Sequence, residues 1–184
     1  MSKDSGAGSG TGSEKATPGA LVWRLSMKWR VAVDRAVAPL GLTHAQYVLV
    51  ASLYGLRRAG ERPSQRRLAD VTGLEPLYVS KLARALEAAG LVERDRDPRD
   101  PRAVQLALTE QGREVTGRAI KVVQGLLRQL LAPLGGLDSP RAKEFSRDLA
   151  TLLDAPLDPF APTVHDDNEH EDEGEDQDNE TEQS

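Results

Sequence analysis

Twenty residues near the middle of the chain, Gln65 to Arg84 (QRRLADVTGLEPLYVSKLAR), constrain the fold more than any other stretch. Ala69 is small and is followed four positions later by Gly73, while Leu68, Leu74, Val79 and Leu82 are apolar. Two helices that cross closely need a small residue at the crossing. The turn between them needs a residue for which positive φ costs little, and that is glycine. The spacing predicts a helix from Gln65 to about Val71, capped by Ser64 and closed by Thr72-Gly73. A second helix follows from about Pro76 to Ala89 and ends at Gly90, a good residue for a helix C-terminus. Thr72 departs mildly from the pattern, since an apolar residue is commoner there.

The second helix has two faces. At about 100° per residue, Val79, Leu82, Ala83, Leu86 and Ala89 gather on one side and read as core. Leu77, Ser80, Lys81 and Arg84 lie on the other. Such a set suits the major groove of DNA: arginine can donate two bonds to guanine, serine and lysine reach bases or phosphates, and leucine touches a thymine methyl. Tyr78 lies at the flank, within reach of a phosphate. Arg62, Arg66 and Arg67, at the start of the preceding helix, are natural phosphate partners. The same charges also suit the solvated side of an ordinary amphipathic helix, so this face does not decide the function alone.

The rest of the chain is mostly helical. Leu21, Leu25, Val31, Val33 and Val37 recur at helical spacing from Ala20 to about Ala38, before Pro39-Leu-Gly41. Thr43 with Gln46 three residues later forms a capping-box signature, and that helix runs to near Gly60. Two short strands flank Asp97-Pro-Arg-Asp-Pro-Arg102. Thr109 opens a long helix to about Leu131, and Asp138-Ser139-Pro140 opens a last one ending near Asp154. The expected fold class is mainly α with a small β-wing. Val115, Ile120, Val122, Val123, Leu126, Leu127, Leu130 and Leu131 make the long helix more apolar than a lone domain needs, which suggests a dimer, with a core confined to one chain as the alternative.

Charge is unevenly spread. The whole chain carries a formal −5, but residues 163–184 hold 11 Asp and Glu and no Lys or Arg. The remaining 24 cationic against 18 acidic side chains give residues 1–162 a net +6, a basic body joined to an acidic tail. The tail also suggests a competitor for the protein's own basic surface that lowers non-specific DNA binding. His165 and His170 lie among its carboxylates without metal-ligand spacing. There are no cysteines, which excludes disulfides and thiolate chemistry. No apolar run approaches the roughly 18 residues of a membrane span. Residues 1–18 read as a flexible arm without the apolar core of a signal peptide, and 157–184 as a disordered acidic tail, leaving 19–156 as the folded domain. A cytoplasmic location is expected. His44 has no nucleophile pattern near it, and no phosphate-binding glycine motif, metal set or cofactor site is evident, so an enzyme is not expected.

Taken in order, Gly41-Leu-Thr43, Gln46, Gln65-Arg-Arg-Leu-Ala, Tyr78-Val-Ser-Lys-Leu and Leu86-Glu-Ala-Ala-Gly-Leu-Val-Glu-Arg94 resemble the MarR family of winged helix-turn-helix regulators. Asp97 to Ala103 and Leu106-Ala-Leu-Thr-Glu-Gln-Gly112 continue the likeness. It is strong over 41–113, holds in helix pattern alone over 20–40 and 114–155, and is absent from both tails. The resemblance implies a homodimer on double-stranded DNA, with terminal helices (about 20–38, 110–131 and 139–154) interlocking and two winged domains in successive major grooves of a palindrome. It also implies that Arg102, at the ribbon tip, enters the minor groove while Asp100 orients it. The enhanced negative potential of narrow A·T-rich grooves favours such a guanidinium. Arg99 is matched less well and is expected at phosphate or solvent. Related regulators bind small aromatic or phenolic effectors. Trp23, Trp29, Tyr47 and Tyr54 are the candidates here, although core or half-buried packing is the favoured account of them. The implied function is a ligand-responsive regulator, acting as a repressor. The rival is a winged helix that binds protein and no longer reads DNA.

Overall fold

All but one of the described α-helices begin where a side-chain oxygen takes a backbone N–H that the helix itself leaves unpartnered; the exception is the helix that opens at Pro76. The computed structural model describes residues 16–97 and 103–157. Thr17 accepts from the Ala20 amide and starts α1 (Pro18–Val37). The helix thus begins two residues before Ala20, because proline at its first position has no N–H to leave unsatisfied. One tight turn, Ala38–Leu40, and Gly41 at φ 75° lead to α2 (His44–Arg58). Its capping box is reciprocal: Gln46 N donates to Thr43 Oγ1 at 3.3 Å, and Thr43 N to Gln46 Oε1 at 2.9 Å.

Ser64 caps α3 (Gln65–Thr72), and Gly73 closes it in the left-handed conformation at φ 68°. Thr72 has its own reason to stand in the turn. Its hydroxyl donates to the Leu68 carbonyl at 2.6 Å and accepts from Leu74 N at 3.4 Å, binding the end of α3 to the turn. After the turn comes α4 (Pro76–Ala88). Ala89, expected on the core side of this helix, is instead exposed, because it is the cap residue where the chain swings out to Gly90.

The ribbon consists of β1 (Val92–Arg96) and β2 (Val104–Leu108), antiparallel, with Val92 opposite Leu108 and Arg96 opposite Val104. A third segment joins it. Leu106 N donates to Pro63 O at 3.1 Å, and Ser64 bridges to Gln105. β2 is therefore the middle of three extended segments, and the ribbon is stitched to the residue that caps α3. Next come α5 (Glu110–Leu131), a tight turn at Ala132–Leu134, and α6 (Pro140–Asp154).

The core gathers α2 (Leu49, Val50, Leu53), α3 (Leu68, Ala69), α4 (Val79, Leu82, Ala83, Leu86), the ribbon (Leu91, Val92, Leu106, Leu108) and α5 (Val115, Ala119, Val123). α1 adds Val33 and Val37, and Leu42 sits at the entry to α2. Full burial of each Leu or Val contributes about 1.5–3 kcal/mol. The join of α5 to the ribbon is closest at Gly112. A Cβ there would lie 1.9 Å from the Leu91 carbonyl oxygen. Thr109 fastens the same corner: its N donates to Leu91 O at 3.1 Å and its hydroxyl to Gly90 O at 2.7 Å.

The chain divides into two compact units, 1–144 and 145–184, with the boundary inside α6. In the second unit Leu149, Leu152, Leu153 and Leu157 are exposed. Among the described residues no single helix is long and apolar enough to cross a membrane. Apart from 16–18 and 157, the expectations of a flexible arm and a disordered acidic tail lie outside the described residues.

Candidate nucleic-acid interface

α4 turns its apolar side inward through Val79, Leu82, Ala83 and Leu86, so its opposite side is fixed. That side carries Leu77, Lys81 and Arg84, all exposed, with Ser80 half-buried beside them. Leu77 is 85% exposed, an unusual state for a leucine on a helix that buries four other apolar residues. Tyr78 is exposed at the flank.

Arg66 and Arg67 are exposed at the start of α3. Arg67 Nε donates to Glu61 Oε2 at 3.4 Å, with both side chains roughly half exposed. A pair so open to water contributes at most about 1 kcal/mol, so it orients Arg67 without removing it from other anions. Arg66 lines an open concavity of about 690 Å³ together with Ser64, Gln65, Asp70, Pro76, Ala103 and Val104. The hollow therefore joins the first turns of α3 and α4 to the strand that returns from the ribbon tip. Asp70 is the one acidic side chain among its described lining residues.

Arg94, on β1, donates from Nη1 to Glu87 Oε2 of α4 at 3.0 Å, tying the ribbon to the helix with the exposed basic face. The ladder continues past β1 and β2: Asp97 N donates to Ala103 O at 2.9 Å. Arg99, Asp100 and Arg102 lie outside the described residues, between these two pinned ends. Arg96, exposed at the end of β1, extends the basic surface toward the tip and was not among the sequence candidates. Strand alternation placed it one residue before a charged turn, and no spacing rule distinguished it from a solvated arginine.

The aromatic candidates differ in burial. Trp29, Tyr47 and Tyr54 are half-buried and packed on the core, in agreement with the packing account. Trp23 is not packed: it is 65% exposed, because the first half of α1 lies beyond the chain's own core and its first buried side chain is Val33. Trp29 lines a cleft of about 190 Å³ between α1 and α5, with Lys28, Ala32, Leu126, Gln129 and Leu130. Burial raises the Tyr47 phenol above its ordinary pKa, keeping it a neutral hydrogen-bonding group. His44 is shifted the other way, by burial first and Arg30 second, with Asp34 partly opposing. Its backbone N donates to Asp34 Oδ1 at 2.8 Å, so the residue fastens α2 to α1.

The model of the MarR family matches residues 42–104, from the entry to α2 through the start of β2. The chain is similar to the uncharacterized HTH-type transcriptional regulator YdcH of Bacillus subtilis, 37% identical over 108 residues, or 59% of this chain and 74% of that one. An HTH-type transcriptional repressor of Mycobacterium tuberculosis is 32% identical over 142 residues, covering 76% of this chain and 96% of its own length. Among solved structures, the transcriptional repressor CouR bound to a 23-mer DNA duplex superposes with a TM-score of 0.64 at 28% identity, over 74% of this chain and 92% of that one. The PcaV transcriptional regulator of Streptomyces coelicolor, in complex with its natural ligand, gives 0.63 at 25% identity, over 75% and 92%.

Proposed function

We infer the function from one premise: the chain belongs to the MarR family of winged helix-turn-helix transcriptional regulators. On that premise the protein is a sequence-specific DNA-binding repressor. It works in the cytoplasm as a homodimer, occupies a palindromic promoter site and is released by a small aromatic or phenolic effector. One observation carries this reading: Leu77, Lys81 and Arg84 form an exposed face on α4, and the hollow beside it leads through Arg66 to the ribbon.

The roles follow from side-chain chemistry. Arg84 donates two hydrogen bonds to a guanine edge, a contact worth about 1–3 kcal/mol of base discrimination. Leu77 meets a thymine methyl, and Ser80 and Lys81 reach bases or the backbone. Arg66, Arg67 and Tyr78 hold phosphates and set the register. Arg102 enters the flanking minor groove, oriented by Asp100, while Arg99 stays at the backbone. Residues 41–113 form the DNA-reading domain. The terminal helices form the dimer, and the exposed leucines of α6 support that assignment. The cleft beside the half-buried Trp29, between α1 and α5, is the place for an effector that this reading favours. CouR's DNA complex and PcaV's ligand complex support DNA and effector as partners. The mycobacterial relative supports repression.

Selection of bound fragments from genomic DNA, followed by gel shift with excess competitor, tests the reading. The expected result is one palindromic fragment shifted specifically at physiological salt. Binding that is sequence-blind and vanishes with moderate salt would overturn it in favour of a protein-binding winged helix.

A further inference from the structure

Gln105 sits at a junction that the motifs do not mark. Strand alternation places it on the outer face of the ribbon, because its neighbours Val104 and Leu106 turn the other way and Leu106 is buried in the core. Its side-chain Nε2 donates to Asp97 Oδ2 at 2.7 Å. Asp97 is the diagonal cross-strand neighbour, two residues beyond Asp95, which faces Gln105 in the register. On the other edge of β2, the backbone of Gln105 bridges to Ser64, whose Oγ accepts from Arg67 N at 3.1 Å and caps α3. One residue thus touches both the strand end from which the tip departs and the cap of the helix that carries Arg66 and Arg67.

The geometry points to Gln105 as the positioning residue of the wing, and this proposal rests on the DNA-binding reading above. Asp97 and Ala103 are the two ends between which residues 98–102 run, and they are joined by the Asp97 N–H to Ala103 carbonyl bond of 2.9 Å. Among the described residues that bond is the outermost rung of the β1–β2 ladder, and rungs toward a ladder's end open more readily than those in its core. The Gln105 amide adds a charge-assisted bond to the same aspartate from two residues deeper in the ladder. It thereby holds the base of the tip at a fixed distance from α3, so that helix face and wing meet successive grooves together. Loss of this bond leaves both contact surfaces intact and removes their common spacing.

The test uses the full chain with Gln105→Ala, Gln105→Glu, and Gln105→Glu combined with Asp97→Asn. Without DNA, the Asp97 amide is expected to exchange several-fold faster in Gln105→Ala, while amides of buried β2 residues such as Leu106 keep their protection. On the selected operator, Gln105→Ala is expected to bind roughly tenfold more weakly. It should also lose sensitivity to replacement of flanking A·T pairs by G·C, and keep its sensitivity at the pairs read by α4. Gln105→Glu, which sets two carboxylates together, should be at least as weak. The double variant, which restores a hydrogen bond with donor and acceptor exchanged, should recover most of the loss. Unchanged Asp97 exchange in Gln105→Ala, or a double variant no better than Gln105→Glu, would overturn the proposal. A wild-type chain that selects no operator while Asp97 exchange does respond would overturn the DNA-binding reading and leave the role of Gln105 at the wing base standing.

Discussion

The winged region and the terminal helices use leucine in opposite ways. From Leu42 to Leu108 the apolar side chains close on one another, and Leu49, Leu53, Leu68, Leu86 and Leu106 are fully buried within the chain. In the terminal helices Leu21, Val22 and Trp23 at one end, and Leu149, Leu152 and Leu153 at the other, face outward. Leu77 shows that exposure alone carries two meanings. It stands by itself among Lys81 and Arg84 on a polar face, as a contact to a base would. The outward residues of α6 recur three and four positions apart, as the seam of a helix packed on another protein surface does. One region closes its core and leaves a polar face outward, and the other leaves apolar side chains outward, which supports the proposed dimer.

The sharpest way to break the contrast is to damage the core where it is tightest. Gly112→Ala should destabilise the fold by about 3 kcal/mol or more, because its methyl would collide with the Leu91 carbonyl. Gly117→Ala, in the same helix with open space at its Cβ, should be neutral or raise stability by up to about 1 kcal/mol. Urea unfolding of the two variants reads the difference, and equal midpoints would contradict it.

Next in size is the seam. Leu152→Glu with Leu153→Glu should shift the protein toward monomer in sedimentation at micromolar concentration while helicity by circular dichroism is kept. A wild-type chain that already sediments as a monomer would remove the distinction between the two regions. On the polar face, Arg84→Ala should weaken operator binding by about tenfold, within the 1–3 kcal/mol of one bidentate contact, at unchanged thermal stability. Arg102→Ala should do the same at the flanking pairs, and unchanged affinity at physiological salt would contradict that role.

The smallest effect is expected where the two regions meet, at His44. Its imidazole is held below the ordinary 6.5, so the fold favours the neutral ring. That contribution is fully present above pH 6.5 and is lost as pH falls through the lowered value. Urea stability measured from pH 7.5 down to 5 should decline more for the native chain than for His44→Gln. Parallel curves would show that His44 does not couple α1 to α2 through its charge.

Much of this architecture was legible beforehand because it is written locally. Thr43 with Gln46, Ser64 with Arg67 N, Gly73 and Thr109 act within four positions, so helix starts and the turn could be read to within a residue or two. The outward set of Leu77, Lys81 and Arg84 followed from helical periodicity for the same reason. Trp23 was not legible, since its exposure depends on how far the core extends beneath α1. Ala89 was misplaced because periodicity does not say at which residue a helix stops facing its neighbours.

By itself, then, the sequence determined the order of capped helices around a short ribbon, the glycine turn between α3 and α4, and the split between a basic body and an acidic tail. Only the tertiary structure decided that Gly112 must lack a side chain and that Gln105 joins Asp97 to the cap of α3. It also decided which aromatics are covered. The physical reason is range: caps, turns and periodicity are settled between neighbours in the chain, whereas a close approach of helix to ribbon, or a bridge from a strand to a helix cap, exists only after distant surfaces have met.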